Sequence, residues 1–282
     1  MSGSYETISV DDQSGGLTIM TLNRPSVANA MNTQMGRDLL AFFDGVNADP
    51  LVHRCIVLTG AGDKAFCSGI DRDESIEQGY LEDVHPTERK RQHPTGFVST
   101  PFQYNDPGSR INPKQNDLWK PVVAAVNGMA CGGALYLLGE SDIVIAAEHA
   151  TFFDPHVTYG MVAGFESLHL LQKLPLGETL RIALLGAHER MSATRAHQLG
   201  LVSEVVPAVE LRERAMWVAR TIASAPVMAV QGTLRAVWMA HEVARREALA
   251  QMSSLVLLGT DYDDIESGQQ SFQGGRIEWR LR

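Results

Sequence analysis

Cysteine is scarce in this chain. Cys55, Cys67 and Cys131 are the only three among 282 residues, too few and too scattered for a disulfide framework or a cysteine-rich zinc site. Basic residues are a minority as well: 24 Lys and Arg face 33 Asp and Glu, for a formal net charge of −9. A general nucleic-acid binder needs a basic face to release counterions from phosphates, so that class is excluded. Long apolar runs are missing: no stretch approaches the roughly 18 uninterrupted apolar residues of a membrane span. The opening residues Met1 to Glu6 carry no signal-peptide pattern, and a cytoplasmic setting without membrane partners is expected. Several catalytic signatures are also absent. His188-Glu189 and His241-Glu242 both lack the second histidine of a His-Glu-x-x-His zinc helix, Ser68 is not framed as a Gly-x-Ser-x-Gly elbow, and no Walker loop occurs. No metal site is expected.

What remains is ordinary globular composition, 44% hydrophobic and 20% charged, in a chain about twice the usual domain size. Leu17 to Leu22 alternates apolar and polar residues, which predicts a half-buried strand. Met35, Leu39, Phe42 and Val46 recur at helical spacing. Cys55 to Leu58, Val122 to Val126 and Ile143 to Ala147 are short continuous apolar runs, as in buried strands, and Ala134 to Leu138 reads as a short helix. Strands alternating with helices predict an α/β fold. From Phe165 to about Leu258 helical patterns dominate: Leu168, Leu171 and Leu174; Leu180, Ala183 and Leu184; the run Ala208 to Ala223; and Val230, Leu234 and Val237 after Pro226. Thr260 to Arg282 reads as a polar tail. Gly79 to Trp119 stands apart, holding five of the twelve prolines and several aromatics. Loops of that length are usually functional lids or disordered.

Gly60-Ala61-Gly62 follows a strand but is not followed by a helix pattern, which argues against a dinucleotide fingerprint. Two other glycine turns are informative together: Lys64-Ala65-Phe66-Cys67-Ser68-Gly69-Ile70-Asp71 and Asn127-Gly128-Met129-Ala130-Cys131-Gly132-Gly133-Ala134. Each follows a buried strand, and the second opens a helix, whose free N–H groups favour negative charge. Each is explicable as a tight turn; converging, their amides would make an oxyanion hole.

With Leu22-Asn23-Arg24-Pro25, Asn29-Ala30-Met31-Asn32, Lys120-Pro121-Val122-Val123-Ala124-Ala125-Val126-Asn127-Gly128, Ser141-Asp142-Ile143 and Gly200-Leu201-Val202 in this order, the chain resembles the crotonase (enoyl-CoA hydratase/isomerase) superfamily from about residue 5 to residue 240. The resemblance implies a spiral of ββα units over residues 1–200, with a lid-like insertion at 79–119. It also implies a helical trimerisation part with a polar tail over 201–282, and a homo-trimer or hexamer. The implied ligand is an acyl- or enoyl-CoA, with no cofactor beyond the CoA of the substrate. By position, the oxyanion amides would be those of Ile70 and Gly133, and Ser26, Ala28, Ala65, Ser68, Asp71 and Gly132 would line the CoA site. Arg276, Arg280 and Arg282 are looser candidates for its phosphates.

The chain departs from the hydratase pattern where two glutamates are usual: those positions fall on Tyr136 and His156. Histidine can exchange a proton near neutrality, whereas tyrosine cannot readily do so. His156 is therefore the expected acid/base. Asp154 would orient it or face away, and Glu166 and Tyr136 are further candidates, for which first-turn placement and packing are the plainer explanations. A crotonase-fold β-diketone hydrolase group has histidine at the same place, but its partner aspartate would fall on Phe165. Hydration, isomerisation, C–C cleavage and catalytically silent acyl-CoA binding all remain open from sequence.

Overall fold

The computed structural model describes residues 5–49, 51–77, 111–274 and 279–281. Gly15 and Gly16, both at φ +79°, turn strand β1 (Ile8–Gln13) back onto β2 (Leu17–Leu22) as an antiparallel hairpin. Positive φ suits glycine, and a side chain at Gly16 would press on the Val52 carbonyl at 2.7 Å. Helix α1 (Thr33–Ala48) follows, capped by the Asn32 side chain, which accepts from Met35 N–H at 2.9 Å. The expected face is the buried one: Met35, Leu39, Phe42 and Val46 are fully covered.

Three times the chain then lays one strand into the main sheet and a short one into a second sheet. The pairs are β3 (Cys55–Gly60) with β4 (Ala65–Cys67), β5 (Val122–Val126) with β6 (Met129–Cys131), and β7 (Ile143–Ala147) with β8 (Thr151–Phe153). Each pair is followed by a helix: α2 (Arg72–Glu77), α3 (Ala134–Gly139) and α4 (Phe165–Leu171). This is the expected α/β spiral of ββα units. Helix α5 (Leu176–Leu185), strand β9 (Met191–Ser192), helix α6 (Ala193–Leu199) and strand β10 (Glu204–Val206) complete the sheets. The main sheet runs β1-β2-β3-β5-β7-β10, parallel from β2 onward, and the second runs β4-β6-β8-β9.

Helix α7 (Leu211–Ala223) packs Leu211, Ala215, Met216, Ala219 and Ala223 on the outer face of the main sheet, against Leu17, Ile19, Cys55, Val57 and Val123. The inner face meets α1 and the second sheet. Burial on both faces explains one departure from expectation: β2 is not half-exposed, since only Thr21 is incompletely buried. Its polar Thr18 is accommodated by donating to Asp12 Oδ1 at 2.9 Å beside His53 Nδ1.

The region after Phe165 is not wholly helical, since β9 and β10 lie within it. In α4 the expected stripe is displaced: Leu170 is buried, whereas Leu168 and Leu171 are exposed. The reason is a close contact at Gly139 of α3, where any Cβ would fall 2.5 Å from His169 Cβ. That contact turns Glu166, His169 and Leu170 inward. Beyond α7, α8 (Val227–Glu242) and α9 (Arg245–Gly259) form a hairpin with Gly232 against Gly259. No residue of α8 is buried, so Val230, Leu234 and Val237 do not form a covered stripe. The expected tail contains α10 (Tyr262–Gly274). Most of the expected lid lies outside the described residues. Its end, from Ile111, is packed: Lys114 Nζ reaches Asp142 Oδ2 at 3.0 Å, and Ile111, Asn112 and Leu118 are buried.

Candidate active site

Parallel neighbours β4, β6 and β8 send their C-terminal ends to one edge of the second sheet. Ile70 follows β4, Gly132-Gly133 follows β6, and Asp154 and His156 follow β8. Sheet topology alone thus brings together residues from three distant parts of the sequence.

The first two exits are joined by backbone. Met31 and Ile70 form a parallel bridge, in which Met31 N–H donates to Gly69 O at 2.8 Å and Asp71 N–H to Met31 O at 2.9 Å. Those bonds use the neighbours of Ile70, so its own N–H faces away from Met31. Among the described residues neither Ile70 N–H nor Gly133 N–H donates to a backbone carbonyl. Gly69 sits at φ +93°, and a Cβ there would lie 2.9 Å from Cys131 O and 3.1 Å from Gly133 N. At Gly133 a Cβ would meet Met31 Cε at 2.8 Å. Two unengaged amides beside the start of α3 are suited to a developing oxyanion.

Asparagines brace these turns. Asn29 Nδ2 donates to the Ala61 and Ala65 carbonyls, and Asn127 Oδ1 accepts from Gly60 N–H. Of the residues expected to line a CoA arm, Ser26 is exposed, Ala28 and Ser68 are half-buried, and Gly132 is buried. Ser68 N–H donates to Ala28 O at 3.0 Å, which holds the two segments side by side. Asp71 is ion-paired to Arg24 at 2.7 Å. The Ala65 side chain is buried, and its carbonyl is engaged by both asparagines. Arg280 stacks on Trp217 of α7 at 4.3 Å, on the far face of the main sheet, and Arg276 and Arg282 lie outside the described residues.

The third exit supplies side chains. His156 Nδ1 is 2.5 Å from Asp154 Oδ1, which also accepts from His156 N–H at 3.0 Å. His156 Nε2 is 3.4 Å from Glu166 Oε1. The imidazole therefore lies between two buried carboxylates, and its Cε1 would be 3.7 Å from a Cβ on Gly132. Asp154 orients the ring rather than facing away, and its Oδ2 is buried without a described partner. Burial pushes Glu166 above the usual carboxylate range, an effect partly opposed by His156 and by a hydrogen bond from the Tyr136 hydroxyl. Tyr136 is buried edge-on to His169, 5.5 Å between rings, and burial drives His169 down to about 4, so that ring is neutral. Asp154, His156 and Glu166 are also the described residues whose ligand atoms, all within 4.8 Å of one another, could hold a metal ion.

A family model described as enoyl-CoA hydratase/isomerase matches residues 17–265. The chain belongs to the enoyl-CoA hydratase/isomerase family. A solved family member, an enoyl-CoA hydratase/isomerase from Mycobacterium paratuberculosis, shares 36% identity and superposes with a TM-score of 0.83, covering 99% of this chain and 100% of the other. The (E)-benzylidenesuccinyl-CoA hydratase of Thauera aromatica is 33% identical over 77% of each chain. The enoyl-CoA hydratase EchA19 of Mycobacterium tuberculosis is 30% identical over 93% of this chain and 91% of its own.

Within the candidate site, sequence reasoning missed His169, which backs Tyr136, and Arg72, whose guanidinium stacks on Tyr159 at 4.1 Å. Arg72 could have been noticed, since it follows the first glycine turn directly; the His169 contact depends on the facing of α4.

Proposed function

We propose that this protein adds water to, or isomerises, an enoyl-CoA, holding the enolate oxygen on the Ile70 and Gly133 amides and moving protons through His156. The observation that carries this reading is the juxtaposition at one sheet edge of two unengaged amides and a histidine between two carboxylates. Asp154 accepts the hydrogen bond of Nδ1–H and so fixes the tautomer, leaving Nε2 to accept a proton from water or from substrate carbon. Glu166, kept protonated more readily by burial, returns a proton to the enolate carbon. The acid/base work of the two carboxylates absent from the usual hydratase positions thereby falls to His156 and Glu166, with Asp154 orienting the imidazole. No metal or cofactor beyond the substrate's CoA is required, and the setting is cytoplasmic. No described helix is long and apolar enough to cross a membrane. The uncovered α8 and the exposed Leu168, Leu171, Leu180 and Leu184 support a trimer or hexamer.

A panel of CoA esters with product masses tests the reading. Mass increased by about 18 Da with CoA retained marks hydration, and unchanged mass marks isomerisation. His156→Asn should cost ~10²–10⁴ in kcat, whereas dialysis against a chelator should cost nothing. Cleavage into two acyl products would favour the hydrolase reading, to which the His156–Glu166 pair also lends itself because Glu166 adjoins the expected partner position at Phe165. Ester binding without turnover of any kind would mark a silent acyl-CoA binder. Light scattering should give three or six times the mass of 30.8 kDa; a monomer at micromolar concentration would remove the assembly proposal.

A further inference from the structure

We infer that Arg72 selects acyl groups that carry a second carboxylate, an inference that rests on the acyl-CoA reading of the same site. Arg72 opens α2, two residues beyond Ile70 at the exit of β4, and Tyr159 ends the turn that begins with His156 at the exit of β8. Their stack, 4.1 Å from guanidinium carbon to ring centroid, joins the two outer exits across that of β6, where Gly132 and Gly133 lie. Both side chains are exposed, so the contact sits at the solvent side of the site.

The platform is fixed before any ligand arrives. Thr158 Oγ1 accepts from Ala187 N–H at 2.9 Å, and Met161 N–H donates to His156 O at 2.9 Å, holding the turn that carries Tyr159. A guanidinium whose carbon lies over a ring is held there by cation–π attraction without using its N–H donors, which stay available to grip a carboxylate with two parallel bonds. Of the other charges near these exits, Asp71 is paired with Arg24 and Asp154 and Glu166 flank His156, while Asp73 and Glu74 follow Arg72 in α2 and Arg190 lies over Phe153 at the end of β8. Among the described residues Arg72 has no ion-pair partner. Positions 70 and 72 are at most about 7 Å apart along the backbone. A carboxylate a few carbons beyond a thioester held at Ile70 therefore falls within reach of Arg72.

The test compares wild type, Arg72→Gln and Arg72→Lys on 2,3-dehydroadipyl-CoA and on the neutral trans-2-hexenoyl-CoA of the same chain length. The kcat/KM ratio of charged to neutral ester should fall by about 10²-fold in Arg72→Gln, because a polar group built to be paired is lost. Arg72→Lys should recover only part of it, lacking the planar fork. An equal fall on both esters would mean that Arg72 serves the CoA phosphates or the fold, and would overturn the inference; so would no fall. Calorimetric binding of the same pairs reads the same ratio from Kd, so the selectivity is decided even in a protein that binds without turnover. Binding of neither ester overturns the acyl-CoA reading together with this one.

Discussion

The two halves of the site are made of different material. One half is backbone: the amides of Ile70 and Gly133, held by a strand bridge and by glycines where a Cβ would collide. The other half is side chain: His156 between Asp154 and Glu166, backed by Tyr136. A backbone device tolerates changes of residue type provided no Cβ intrudes, while a side-chain device depends on each functional group. A glycine turn can therefore persist while the side chains around it, such as Tyr136 and His156, are free to differ.

The largest effect is expected at Gly133. Gly133→Val puts a side chain against Met31, and turnover should fall by at least ~10², as for a disabled oxyanion site, with circular dichroism checking that the fold persists. Ile70→Val, which leaves its N–H in place, should change kcat by no more than a few-fold. If the two variants lose activity equally, the amides are not the working groups of that half.

A smaller effect separates charge from shape in the other half. Since burial raises the Glu166 pKa, the folded state holds that proton more tightly than the unfolded chain. The resulting stability is fully present below the ordinary carboxylate pKa and is lost as pH rises through the raised value. Glu166→Gln cannot ionise, so by denaturant titration it should be more stable than wild type near pH 8, with the gap closing as pH falls into the ordinary carboxylate range. A gap that reverses sign at high pH would show Glu166 working as the ionised partner of an imidazolium.

Legibility followed the same division. The runs of β3, β5 and β7 and the buried face of α1 were readable because apolar residues have nowhere else to go. The glycine turns were readable because close approach permits few residue types. What tertiary contact decides was not. The alternating pattern of β2 hides its second buried face, which depends on α7 from two hundred residues away. The inward face of α4 is set by Gly139 meeting His169, so the leucine spacing points the wrong way round the helix. Glu166 reaches His156 through that same rotation, whereas Asp154, only two residues from His156, could be suspected from spacing alone. Nothing in the periodicity of α8 tells that Val230 and Leu234 stay only half-buried, and Val237 exposed, within one chain.

The three buried cysteines give this architecture a reporter of its own motions. Burial raises each thiol to about 12, which leaves roughly one thiolate in 10⁵ at neutral pH, and the thiolate is the species that alkylates. Cys55 lies in the main sheet under α7, whereas Cys67 and Cys131 end the strands that carry Ile70 and Gly133, with Cys67 Sγ accepting from Gly69 N–H. Alkylation kinetics at Cys67 and Cys131 therefore measure how often this edge of the second sheet breathes, and kinetics at Cys55 measure how often the main sheet opens. The two rates place the site on the protein's own scale of local unfolding without any introduced label.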